Sequence, residues 1–164
     1  LDDGIARMGQ VVFSSPELTE LRALGLGSCF GLCVYDPGAK LGCVAHIVLP
    51  EARSADTPEL GKYADTALPY VIKQMTIRGA QQSRLRVAIA GGAQLFSFEG
   101  SESRLDVGRR NTEAVKALLS SMRLWLVAVE VGGKSGRTIA LDSTTGDVTV
   151  KQAGGPSRVL AKLG

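Results

Sequence analysis

The sequence predicts an α/β (α+β) fold in a single domain, with two helices packed on a sheet, on three observations. Apolar runs rich in Val, Ile and Leu, cut by Gly and Pro, recur along the chain. Two segments carry the helical period instead. The 164 residues are 45% apolar and 21% charged, which suits one core and demands no second one, so the domain is expected to span 1–164.

Strands are expected near 10–14, 29–35, 41–49, 85–90, 124–131, 137–141 and 147–151. In the first helix Ala64, Ala67, Leu68, Val71, Ile72 and Met75 recur at i, i+3, i+4, i+7, i+8 and i+11 and draw one apolar stripe. Pro69 would break a helix from deep inside, so Asp65 is placed as N-cap, with the proline near the end of the first turn and the helix ending near Gly79. In the second helix Asn111 is the expected N-cap and Glu113 suits the N-terminal dipole. Its buried face is Ala114, Val115, Leu118, Leu119 and Met122. Residues 51–61 and 98–110 lack periodicity and read as surface loops, long enough to shape a site. There is no internal repeat.

Composition excludes several classes. No apolar run approaches the roughly 20 residues of a membrane span, and the opening LDDGIARMGQ lacks the basic and apolar regions of a secretory signal. A cytoplasmic protein without membrane insertion is expected. A net charge of +3 with few aromatic residues gives no reason to expect nucleic acid. Arg104, Arg109 and Arg110 read as a solvated loop or as a contact for an acidic partner. Three cysteines in such a chain do not suggest a disulfide framework.

All three cysteines and the one histidine lie between Cys29 and His46. Cys29, Cys33, Cys43 and His46 are the ligand types of a Cys₃His zinc site, yet strand alternation points Cys43 away from His46, so the four converge only across a bulge. Cys33 and Cys43 sit in uninterrupted apolar runs and read as core. Cys29 differs, because it follows Gly25-Leu26-Gly27-Ser28, whose glycines allow unusual backbone angles and close approach. Backbone N–H groups of such a turn would favour a thiolate and then hold an oxyanion.

The segment YDPGAKLG is a turn between two apolar runs, with Pro37 set for a turn position and Gly38 free to take positive φ, so the flanking strands should pair antiparallel. A register that faces His46 with Cys29 or with Gly31 puts the thiol and the imidazole on one face. One that faces His46 with Phe30 separates them. The first case is expected. It makes Cys29 a candidate nucleophile and His46 its candidate base, while core packing of the histidine stays open.

The residues also resemble a known family. LGLGSCFGLCVYDP (24–37), AHIVLP (45–50), KYADTA (62–67), IAGGAQLF (89–96), VGRRNTEAV (107–115) and GGKSGRTIALDSTTGDV (132–148) resemble, in order, the motifs of the CheD chemoreceptor glutamine deamidases of bacterial chemotaxis. The resemblance implies a sandwich of packed, mixed β-sheets with helices outside, related to bacterial deamidase toxins. It implies Cys29 as nucleophile and His46 as its partner. It also implies conversion of glutamines on receptor cytoplasmic helices to glutamate, hydrolysis of glutamyl methyl esters, and binding of a CheC-type phosphatase. The family places a threonine six residues before the nucleophile, where this chain has Ala23. Alanine cannot orient an imidazole, so Ser28 or a backbone carbonyl must substitute, or the rate must suffer.

The expected mechanism is acyl transfer through Cys29, with the turn Gly27-Ser28-Cys29 as oxyanion hole and no metal or organic cofactor. The rival expectation is an adaptor, weakened by Ala23, that binds a CheC-type phosphatase or a receptor. Gly91-Gly92 lacks the lysine and the spacing of a phosphate loop and reads as a close turn lining the cleft. Tyr63, Asp65 and Thr66 read as helix-cap and packing residues or as a substrate-facing edge, and Phe96 and Phe98 as core or a partner patch.

Overall fold

A computed structural model describes residues 3–49, 52, 58–93 and 107–164, with the backbone alone at 107–109 and 111. Along the chain come β1 (Val11–Phe13), β2 (Glu20–Leu26), β3 (Phe30–Asp36), β4 (Leu41–Ile47), α1 (Ala64–Ile77), β5 (Arg86–Gly91), α2 (Val107–Ser121), β6 (Trp125–Val131), β7 (Arg137–Asp142), β8 (Asp147–Gln152) and β9 (Ser157–Lys162). One sheet has the order β1-β4-β3-β5-β6 and the other β2-β7-β8-β9. Among the strands of the described residues only β5 and β6 pair in parallel, and α2 lies in the connection between them, as a parallel pair requires. No helix among the described residues is long and apolar enough to cross a membrane.

Strand alternation builds two cores from one central sheet. Phe30, Leu32 and Val34 of β3, with Cys43, Ala45 and Ile47 of β4, pack against the buried stripes of α1 and α2. Cys33, Tyr35 and Val44 face the other way, onto Leu21, Ala23, Leu26, Ile139 and Leu141 of the second sheet. β3 and β4 are buried along their whole lengths because both faces are covered. The result is three layers, helices on sheet on sheet, the single-domain sandwich with flanking helices expected above, in which the first sheet is mixed and the second antiparallel.

Several local expectations need correction. β2 and β9 were not among the expected strands. Helix α1 has the buried face Ala64, Ala67, Leu68, Val71, Ile72 and Met75, but its N-cap residue is Tyr63, which makes no side-chain cap. Asp65 stands inside the first turn, where a carboxylate suits the dipole, and accepts hydrogen bonds from the Ala52 N–H at 3.1 and 3.3 Å. Thr66 donates to the Leu60 carbonyl at 2.7 Å, so both residues fasten the preceding segment to the helix. Pro69 lies within α1, two residues deeper than expected, with its ring exposed. Helix α2 begins at Val107, so Asn111 is no N-cap; the apolar period starts only at Ala114 and hid the polar first turn. Val115 and Leu119 are fully buried, and Ala114, Leu118 and Met122 pack beside them. Phe96, Phe98 and Arg104 lie outside the described residues.

The β3–β4 turn is held by a buried carboxylate. Asp36 accepts from the N–H of Gly38 (2.8 Å), Ala39 (3.2 Å) and Gln81 (2.9 Å) and takes a two-pronged bond from Arg84 at 2.8 and 2.9 Å. Gly38 is needed for room rather than for positive φ, since a Cβ there would lie 2.7 Å from the Arg84 Nε; the positive φ falls on Lys40. Burial works against ionisation of Asp36, but the bonds from Arg84 and the three N–H groups outweigh it and hold the carboxyl below its ordinary value. Asp36→Ala is expected to cost about 3–5 kcal/mol by urea denaturation at neutral pH, since it leaves Arg84 and the N–H groups unpaired. The loss should shrink as pH falls below the unfolded-state value near 3.9, because the unfolded chain then takes up a proton that the native carboxylate still resists, so the parent loses this stabilisation. A cost under about 1 kcal/mol at neutral pH would show that the network contributes little.

Candidate active site

The chain passes from the second sheet to the first between Leu26 and Phe30, and Gly27, Ser28 and Cys29 make that crossing. The crossing is stapled to the segment after β5. The Gly92 N–H donates to the Cys29 carbonyl at 3.0 Å and the Ala93 N–H to that of Gly27 at 2.8 Å. Gly91 has φ +124, and a Cβ on it would lie 2.4 Å from the Cys29 carbonyl oxygen, so glycine is required there on both counts. The donors that a phosphate cradle at Gly92 and Ala93 would need are thus already engaged, and the pair is a close turn behind Cys29.

Cys29 is half-buried and packs against the cluster between the sheets. The expectation of a thiolate needs correction. Burial pushes the thiol up from its ordinary value of 9.0, and the Cys29 N–H pulls it back only in part. At neutral pH the resting group is the thiol, and any nucleophilic role requires a base to take its proton.

The strand register supplies a candidate. Phe30 faces Ile47 and Gly31 faces His46, one of the two registers that put residues 29 and 46 on the same face. That face is the one between the sheets, where Cys29 packs. His46 is 4% exposed, and its Nδ1 lies 2.9 Å from the Ala6 carbonyl oxygen. A carbonyl only accepts, so Nδ1 carries the proton and Nε2 keeps its lone pair. Burial lowers the pKa of the ring and outweighs the opposing effect of the Ala6 bond, so the imidazole is neutral at pH 7.

Ala23 is fully buried in the same layer. It packs over Gly31, because a Cβ on Gly31 would lie 3.5 Å from that of Ala23. Its side chain offers no polar atom. Cys33 and Cys43 are fully buried on opposite faces of the first sheet, Cys33 toward the second sheet and Cys43 toward the helices, and burial pushes both thiols up. No group of three or more candidate metal ligands is close together among the described residues.

Sequence reasoning missed Arg137. At 5% exposure it donates through Nη1 to the carbonyls of Gly91 (3.0 Å) and Gly132 (2.8 Å) and pairs with Glu130 at 3.3 Å, so it ties β7 to the turn behind Cys29. Next to that turn, at the carboxyl ends of β5 and β6, lies a cavity of about 330 Å³ lined by Gly92, Thr112, Glu113, Lys116, Val131, Gly132 and Gly133. Nothing local marks such an arginine, because the carbonyl that links it to the turn behind Cys29, that of Gly91, lies 46 residues away along the chain.

Comparison with known proteins shows the family. The family model described as CheD chemotactic sensory transduction matches residues 48–152. A protein of Syntrophomonas wolfei subsp. wolfei is 44% identical over 142 residues, covering 86% of this chain and 88% of its own. The chain belongs to the CheD family. A CheD of Desulfitobacterium hafniense (strain DSM 10664 / DCB-2) is 47% identical over 131 residues, 80% of this chain and 82% of its own. A CheD of Clostridium botulinum (strain Eklund 17B / Type B) is 42% identical over 154 residues, 92% of this chain and 91% of its own. All three relatives carry the name probable chemoreceptor glutamine deamidase CheD. The family match begins at Val48, whereas a span of 92% of the chain is too long to leave out either Cys29 or His46.

Proposed function

We propose that this CheD chain is a chemoreceptor glutamine deamidase in which Cys29 is the nucleophile and His46 the general base and acid. The observation that carries the reading is the neutral, oriented imidazole of His46 on the face where the Cys29 thiol packs. A protonated thiol on the same face as a ring with a free Nε2 lone pair is the starting state of base-assisted attack.

The Cys29 sulfur bonds to the carboxamide carbon of a receptor glutamine as its proton moves to His46 Nε2. The N–H groups of the 27–29 turn hold the resulting oxyanion. The carbon–nitrogen bond then breaks, and His46 returns the proton to the nitrogen, which leaves as ammonia rather than as an unstable amide anion. His46 next takes a proton from water; the hydroxide attacks the thioester, the carbon–sulfur bond breaks, and glutamate and the Cys29 thiol form. A glutamyl methyl ester follows the same course with methanol leaving. Neither course calls for a metal or an organic cofactor. The substrates lie on receptor cytoplasmic helices, which puts the work in the cytoplasm, and a CheC-type phosphatase is the further partner that the family resemblance implies.

The adaptor alternative draws on Ala23 alone, and the acceptor that Ala23 cannot provide is present at Ala6. The test is peptide mass spectrometry of a receptor cytoplasmic fragment after incubation with the protein. Glutamine-to-glutamate conversion is expected, and binding without conversion on several receptors would favour the adaptor. The pH profile is a second check. His46 acts as base only when neutral, and its pKa is lowered, so kcat/KM should rise with pH through a value below the ordinary histidine value of 6.5 and hold to the alkaline range where Cys29 loses its proton. An acid limb centred above 6.5 contradicts the buried, neutral base.

A further inference from the structure

Resting on His46 as the base, we infer that the Ala6 carbonyl is the positioning group of the site and that residues 3–10 form a strap whose task is to hold it there. The strap joins both sheets. Residues 4–6 run beside β2, with the Ala6 N–H donating to the Arg22 carbonyl at 2.8 Å and the Arg22 N–H donating to that of Gly4 at 2.7 Å. The fit is close, since a Cβ on Gly4 would lie 2.4 Å from the Glu20 carbonyl oxygen. The chain then turns, with Gln10 N–H donating to the Arg7 carbonyl at 2.8 Å, and meets β4: Gly9 N–H donates to the His46 carbonyl at 2.9 Å and His46 N–H to that of Gln10 at 3.0 Å.

One histidine is therefore held at three points by three residues of a five-residue stretch, Ala6, Gly9 and Gln10, twice on its main chain and once on its ring. The turn that carries Ala6 has its own braces. Asp3 accepts from the Ile5 N–H at 3.1 Å and pairs with Arg7 at 2.9 Å, and the Gln10 side-chain oxygen accepts from the Arg7 N–H at 3.0 Å. A carbonyl fixed from both sides accepts from Nδ1 and from nothing else on the ring, so it selects the tautomer with Nε2 unprotonated. It does so without the rotamer freedom that a threonine hydroxyl at position 23 would have to lose. The strap thereby supplies what Ala23 lacks.

His46 is the chain's one histidine, so the untagged ¹⁵N-labelled protein gives one set of imidazole signals. Long-range ¹H–¹⁵N correlation near neutral pH is expected to show a single Nδ1–H tautomer. A dominant Nε2–H form, or an exchanging mixture, overturns the inference. The Asp3→Ala/Arg7→Ala variant removes two braces and touches neither Cys29 nor His46. It should mix the tautomers and lower kcat on a receptor fragment about tenfold with KM little changed. Loss of the tautomer with kcat intact overturns the positioning role, and the intact protein keeps the question decidable if the variant fails to fold. The two readings fail separately. The Nδ1–H form in a chain that converts no glutamine removes the deamidase reading alone, and active deamidation with the Nε2–H form removes the strap's role alone.

Discussion

Cys29→Ala is expected to lower the rate of glutamine conversion by at least about 10³-fold while leaving the fold and receptor binding in place. Alanine keeps the Cβ that packs between the sheets and removes only the sulfur, from a side chain that is half-buried. The remaining thiols, Cys33 and Cys43, are fully buried in the two cores and cannot take over attack on an external carboxamide. The loss should fall on kcat rather than KM, because the sulfur forms its bond to the substrate only on the way to the transition state. Ammonia release measured against the parent protein reads it directly. A variant within tenfold of the parent would remove Cys29 from the chemistry.

His46→Gln is expected to lower kcat by about 10²–10⁴-fold and to abolish the acid limb of the pH profile. Glutamine is the informative replacement because its amide N–H can still donate to the Ala6 carbonyl, so that acceptor need not be orphaned. What it lacks is a proton acceptor with a pKa near the working range. The Cys29 thiol, pushed up by burial, would then have to lose its proton to solvent, so the residual rate should climb with pH toward the alkaline range. A residual rate that is flat in pH and close to the parent's would mean that the imidazole serves only the core.

These effects rest on features of unequal visibility in the sequence. Helix α1 was legible residue by residue, because its six buried positions repeat at 3.6 and nothing else explains that spacing. The β3–β4 hairpin was legible because Pro37 and Gly38 mark a turn, and alternation then left only the parity of the register to decide whether Cys29 and His46 share a face. Strand β2 was hidden. Its inward residues Leu21, Ala23 and Leu26 are thrown off period by an irregularity around Gly25, and Leu24 is exposed, so the segment reads as neither strand nor helix. Strand β9 buries only Ala161 well, and an edge strand with one inward residue shows no pattern.

The site divides along the same line. Cys29, His46 and the glycine turn announce themselves by residue type, whereas the groups that make them work do not. The acceptor for His46 is a main-chain oxygen, and every residue has one, so Ala6 carries no signal at all. Arg137 is a recognisable residue type, but its role depends on Gly91 and Gly132 converging beneath it, which only the pairing of β5 with β6 brings about. The upward shift of Cys29 is hidden for a related reason: the N–H at the turn is visible in the sequence, but the burial that outweighs it comes from packing against the cluster between the sheets.

The central claim is that a receptor glutamine is carried on Cys29 as a thioester, and intact-mass spectrometry of the protein quenched in acid during turnover with a glutamine peptide tests it most directly. The account predicts an adduct equal to the peptide less ammonia, located on the peptide that contains Cys29, released by hydroxylamine and absent from Cys29→Ala. Conversion of the peptide to its glutamate form with no adduct at any time, and at an equal rate with Cys29→Ala, would contradict it.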